Sequence, residues 1–111
     1  MPPPADRHVE AFLEMLAAER GAAPNTLAAY ETDLNDFAAH ARSRGQDAAT
    51  ADAATARGWL EGLAAAGKAA RTQARKLSAL RRASGNLLET GVDSFGRRAL
   101  YYDGIAVEVA P

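Results

Sequence analysis

PNTLAAYETDLNDFAAHARSRG, Pro24 to Gly45, is the stretch on which the fold reading turns. Leu27, Tyr30, Leu34, Phe37, Ala38 and Ala41 recur at steps of three and four. At about 100° per residue, such steps gather side chains on one face of an α-helix. Pro24 excludes a helix continuing from the preceding residues, because its ring removes a donor and clashes with the turn before it. Asn25 suits an N-cap and Gly45 a stop. This is the best-defined amphipathic helix in the chain, and it sets an all-α expectation. Tyr30 packs by its ring with the hydroxyl at the rim. Asn25 and Thr26 place a hydroxyl and free N–H groups at a helix N-terminus, an arrangement suited equally to plain capping and to a phosphate oxygen.

On the N-terminal side, Met1–Pro4 cannot begin a helix smoothly. Asp6 caps a first helix carrying Val9, Phe12, Leu13 and Leu16 and ending near Arg20–Gly21. Its outward Glu10, Glu14 and Glu19 make a solvated acidic face, unsuited to phosphates. On the other side, Gln46–Ala51 is a connector, and Asp52 or Thr55 caps a shorter helix with Ala56, Trp59, Leu60 and Leu63 on its apolar side. Trp59, the sole tryptophan, reads as core and not as a base-stacking platform. Gly67 closes that helix.

Lys68–Arg82, KAARTQARKLSALRR, then carries six basic residues and no acidic one. On a helix, Ala70, Ala74, Leu77 and Leu80 gather opposite Lys68, Arg71, Arg75 and Arg82, flanked by the small Ser78 and Ala79. Residues 1–67 hold a net −5, residues 68–82 a net +6 and residues 83–111 a net −2, giving −1 for the whole chain. A near-neutral protein that concentrates its cations in this way focuses positive potential on one surface, as a nucleic-acid-facing helix requires. The bland alternative is a cationic face that is merely solvated.

After Arg82 the helical signal weakens through Ala83, Ser84, Gly85 and Asn86. Leu87 and Leu88 stay in phase, so the helix could run to Thr90–Gly91. Arg97–Tyr102 and Ile105–Val109 around Asp103–Gly104 read as a β-hairpin. The expected division is a helical module over 1–91 and an atypical tail over 92–111.

At 111 residues and 48% hydrophobic, the chain can bury one core and is too short for two domains. It has no cysteine, which excludes disulfides, thiolate zinc sites and a cysteine nucleophile. No apolar h-region or membrane-length apolar run is present, so a soluble cytoplasmic protein is the expectation. His8 and His40 stand alone as surface residues. There is no carboxylate pair, metal constellation or phosphate-cradling glycine loop, and so no cofactor, metal or small-molecule substrate is expected.

Three ordered blocks carry a family resemblance. Phe12, Leu13, Leu16, Glu19 and Arg20 match F-L-x-x-L-x-x-E-(R/K). Asn25, Thr26, Leu27, Tyr30, Asp33, Leu34 and Phe37 match N-T-L-x-x-Y-x-x-D-L-x-x-F. Arg75, Leu77, Ser78, Ala79, Leu80 and Arg81 match R-x-L-S-A-L-R. Over residues 8–82 the chain resembles the N-terminal core-binding, SAM-like domain of tyrosine recombinases of the Xer and phage-integrase type. The resemblance implies a four-helix bundle of two crossed helical hairpins that clamps duplex DNA, with contacts at Asn25 and Thr26 and along Lys68, Arg71, Thr72, Arg75 and Arg82. It also implies that the catalytic Arg, Lys, His and Tyr lie on a separate domain, absent from these residues, so no recombinase chemistry is expected of this chain. Tyr101 and Tyr102 lack the motif and basic partners of the nucleophile. The family's fourth helix continues with aromatic and aliphatic residues where this chain has Ala83, Ser84, Gly85 and Asn86.

Double-stranded DNA is the expected partner, with other recombinase subunits second and no membrane. Four or five phosphate contacts would make log K fall against log salt at a slope of about −4. The reading of another class is a helical protein–protein or self-association module whose tail pairs strands with a second chain. A fragment, a truncated product or a tail without a selected role is the third.

Overall fold

Asp6 starts the first helix as expected: its carboxylate accepts the Val9 amide at 3.0 Å, and it also accepts the Ala48 amide at 2.9 Å. One side chain thereby caps a helix and ties down the loop after the next one. A computed structural model of the chain describes residues 6–85 and 87–109. The element order is α1 (Arg7–Arg20), α2 (Pro24–Ser43), α3 (Ala53–Ala65), α4 (Ala70–Ala83), β1 (Leu88–Val92), β2 (Arg98–Tyr102) and β3 (Ile105–Val109). Met1–Pro4, Asn86 and the side chains of Glu19, Arg20 and Val109 lie outside the described residues.

The four-helix expectation holds, with two local corrections and one open alternative decided. Pro24 is itself the first residue of α2 and Ala23 is the cap, so Asn25 sits inside the first turn. Proline suits that position because its missing N–H would have had no helical partner there. Asp52, accepting from the Thr55 amide at 2.9 Å, is the cap of α3. Third, α4 stops at Ala83 and does not reach Thr90: Gly85 turns the chain at φ 67°. Leu88 leaves the helical phase and becomes the buried first residue of a strand.

The tail is a three-stranded antiparallel meander in the order β1-β2-β3, one strand more than the hairpin expected. Asp103 and Gly104, both at positive φ, make the tight turn between β2 and β3. A bulge at Leu100/Tyr101 leaves Val107 without a partner across the ladder. Between β1 and β2, Asp93 accepts the amides of Phe95 and Arg97 at 2.9 and 2.8 Å. β1 escaped the sequence reading because its five residues, LETGV, do not alternate cleanly between apolar and polar.

α2 is the central element. Its Leu34 and Ala38 pack with Val9, Phe12, Leu16 and Ala79 of α1 and α4. Its Phe37 and Ala41 pack with Trp59, Leu60 and Leu63 of α3, Leu80 of α4, and Leu88, Tyr102 and Val107 of the sheet. The sheet therefore shares a core with the helices, and Arg57 of α3 also donates to the Ala106 carbonyl of β3 at 2.5 Å. Trp59 is core, 4% exposed, with its ring edge-on to Phe37 at 5.1 Å. His8 is on the surface with Nε2 at 3.2 Å from the Ala83 carbonyl. His40 is not a plain surface residue. It is half-buried, and its Nε2 has no hydrogen-bond partner among the described residues.

Candidate nucleic-acid interface

The packing of α2 on α4 brings the first turn of one helix against the middle of the other. Between them lies an open groove of about 360 Å³ lined by Asn25, Thr26, Ala29, Tyr30, Asp33, Arg75 and Ser78. Asn25 and Thr26 are exposed there. Because α2 has no side-chain cap, the amides of its first turn also remain open. The floor is built from Tyr30 and Asp33, which share the inward stripe of α2 with Leu34 and Phe37.

Asp33 is 1% exposed, and it organises the site. Its two oxygens accept from Nε and Nη2 of Arg75, each at 3.0 Å, and Oδ1 also takes Nζ of Lys76 at 3.3 Å. Lys76, 7% exposed, reaches Asp36 as well at 3.3 Å. Asp36 in turn accepts from Trp59 Nε1 at 3.1 Å. A chain of paired groups thus ties α2, α3 and α4 together behind the groove. Hydrogen bonding to Asp33, then its charge, raises the pKa of Arg75 further, so the guanidinium stays protonated.

This network corrects the expected orientation of α4. Ala70 and Ala74 are exposed and Leu77 is half-buried; the buried residues are Lys76, Ala79 and Leu80. The sequence counts Lys76 among the six cations of the basic run without giving it a face, and it puts Ala79 beside the basic stripe. Two carboxylates on α2 draw Lys76 inward instead, and the helix turns with it. A buried cation is tolerated only where such partners exist.

Of the seven residues singled out from sequence, Asn25, Thr26 and Arg75 meet in the groove. Arg82 joins at one end, its guanidinium 5.7 Å from the centre of the Tyr30 ring, which packs edge-on to Phe12 at 5.9 Å. Arg71 lies exposed one turn before Arg75, and Thr72 is half-buried beside it. Lys68 precedes the helix, with its carbonyl accepting from Gln73 Nε2 at 2.8 Å. Lys68, Arg71 and Thr72 do not line the groove. Asp33, Lys76, Asp36 and Ser78 were missed as site residues. The available signal was an acid at position 33 on an otherwise apolar stripe, since a carboxylate in that place demands a buried partner. Among the described residues, no cluster of His, Asp or Glu could hold a metal, and no helix is long and apolar enough to cross a membrane.

The helices and groove coincide with a known family boundary. The family model described as "Phage integrase, N-terminal SAM-like domain" matches residues 9–84, from the first turn of α1 to the end of α4. The chain belongs to that family, and its helical part is a recombinase-type N-terminal domain. Among curated proteins it is 55% identical over 74 residues to the tyrosine recombinase XerD of Rhizobium meliloti (strain 1021), covering 67% of this chain and 24% of that protein. It is 49% identical over 73 residues to the tyrosine recombinase XerD of Agrobacterium fabrum, covering 66% of this chain and 22% of that protein. The XerD of Caulobacter vibrioides is 46% identical over 72 residues, covering 65% and 24%. The chain thus spans about a quarter of the length of the curated relatives it matches. No solved structure matches it.

Proposed function

We propose that this chain is a DNA-binding module of a tyrosine recombinase, holding duplex DNA across the α2–α4 groove and contributing no group to strand cleavage. The observation that carries the reading is the meeting of an uncapped helix N-terminus, Asn25 and Thr26, with the cation-bearing side of α4 in one open groove. Open amides and hydroxyls there suit phosphate oxygens, and Lys68, Arg71 and Arg82 add positive charge around them. The family and its XerD relatives support the same assignment.

The salt dependence follows from the ion pairs. Arg75 and Lys76 are balanced by Asp33 and Asp36, so they release few counterions. Three cations remain on this side, and the log K against log salt slope should be about −3, shallower than the −4 inferred from residue counts. Fluorescence anisotropy of a short labelled duplex at several salt concentrations measures it. Arg71→Glu with Arg82→Glu should abolish binding while circular dichroism stays unchanged; full affinity in that variant refutes the reading.

A second reading is self-association through the sheet. It is favoured by β1 and β3 standing at the edges of the sheet with no further strand paired to them among the described residues, and by Phe95 and Val92, 81% and 65% exposed. Sedimentation equilibrium separates the two: a dimer lost on Phe95→Ser, with DNA affinity unchanged, supports this second role.

A further inference from the structure

Asp33 occupies only one side of the Arg75 guanidinium. Nε and Nη2 each donate one hydrogen to it at 3.0 Å, which uses two of the five N–H donors. The terminal edge remains, with one N–H on each Nη pointing the same way as a two-pronged fork. The Arg75 side chain is 54% exposed and lines the groove beside Asn25, Thr26 and Ser78. Asp33 itself cannot swing away, because it is 1% exposed and held from behind by Lys76. The four-membered set of Asp33, Asp36, Arg75 and Lys76 carries no net charge.

A phosphate contact that drives affinity brings uncompensated charge, whose counterions are released on binding. Arg75 is compensated by Asp33, which holds it through two hydrogen bonds. We propose that Arg75 is a base-reading residue, which Asp33 fixes so that its terminal fork donates to O6 and N7 of a guanine in the major groove. This rests on the DNA-binding reading above and assigns the specificity of that same groove. Two parallel donors match the two guanine acceptors, whereas adenine offers one acceptor and one donor at the same places. Immobilising the guanidinium beforehand also removes the ordering cost that a free arginine meets on binding. Lys68, Arg71 and Arg82 then supply the charge that holds the backbone, and Arg75 supplies the choice of base.

The test is selection from a randomised duplex pool with the full chain, followed by anisotropy on the enriched duplex. The wild type should select a guanine at one position, and changing that G·C pair to A·T should weaken binding by about five- to a hundred-fold. 7-Deazaguanine at the same position, which lacks the N7 acceptor, should weaken binding in the same direction. Arg75→Lys keeps the charge but has no fork. It should bind with the same salt slope, keep its helicity and show no preference at that pair. Asp33→Asn, where it folds, should lose the preference while still binding. The proposal is overturned by a wild type with no guanine preference, or by an Arg75→Lys variant that keeps it. A slope shallower by about 0.9 in Arg75→Gln, the signature of one lost phosphate contact, also overturns it. Absence of any duplex binding at low salt is a distinct result: it removes the DNA-binding reading itself, and base reading with it.

Discussion

Replacing Asp33 by Ala is the sharpest test of what holds the groove together. The substitution removes a carboxylate that is 1% exposed and accepts from two cations. The consequences for those cations differ. Arg75 is more than half exposed and regains water, whereas Lys76, 7% exposed, keeps only the half-exposed Asp36 at 3.3 Å. Breaking a buried pair by removing one partner costs roughly 3–5 kcal/mol, and the surviving Asp36 contact puts this case near the lower end, about 3 kcal/mol. Against a total stability of about 5–15 kcal/mol, that is a large fraction. Replacing both members, Asp33→Leu with Lys76→Met, leaves no stranded charge and should cost much less than Asp33→Ala alone. Urea denaturation followed at 222 nm, with an unchanged m-value, reads both. A loss under about 1 kcal/mol for Asp33→Ala, the range of a surface pair, refutes the buried-network argument. So does a double variant less stable than the single one.

Four further outcomes follow from contacts elsewhere in the fold. Hydrogen bonds from backbone amides hold Asp47, Asp52 and Asp93 below the ordinary carboxylate range. Their folded values lie under their unfolded ones, so their contribution is present above about pH 4 and is lost as pH falls further. At the other end, burial raises the Tyr102 phenol; the unfolded chain ionises first, and stability should decline as pH rises past about 10. Both limbs are read by denaturation midpoints against pH. Deleting residues 93–111 takes Tyr102 and Val107 out of the core around Trp59, at roughly 2 kcal/mol each, so Trp59 emission should shift to the red and DNA binding should weaken with the fold. An unshifted spectrum would mean the sheet is a dispensable tail. Gly85→Ala should cost about 1 kcal/mol from strain alone, since Gly85 sits at φ 67° and an added Cβ meets no atom within 4 Å; thermal melting checks it.

The local elements were legible because their signals are local. The periodic stripe of α2, the Asp6 and Asp52 caps and the Asp103–Gly104 turn each depend on residues a few positions apart. The four helices and the β2–β3 hairpin could therefore be read from spacing, and the motif blocks at Asn25–Phe37 and Arg75–Arg81 pointed to the recombinase family. The groove was legible in part: Asn25, Thr26, Arg75 and Arg82 came from charge segregation and the family resemblance. Which cations stay free was not, because that depends on pairs 42 and 43 residues apart in the chain, Arg75 and Lys76 with Asp33.

Charge content and helical periodicity thus determined, from the sequence alone, that one helix of an all-helical module would carry a basic face. Only the tertiary structure decided which way that helix turns. The burial of Asp33 on α2 draws Lys76 into the interior, because a desolvated carboxylate is stable only with cations against it. The same packing fastens one side of Arg75 and leaves the other side facing the groove. It also converts Leu88 from the next turn of a helix into the first residue of a strand. The turn at Gly85 and the apolar space beside Trp59 hold that leucine more favourably than an exposed helical extension would.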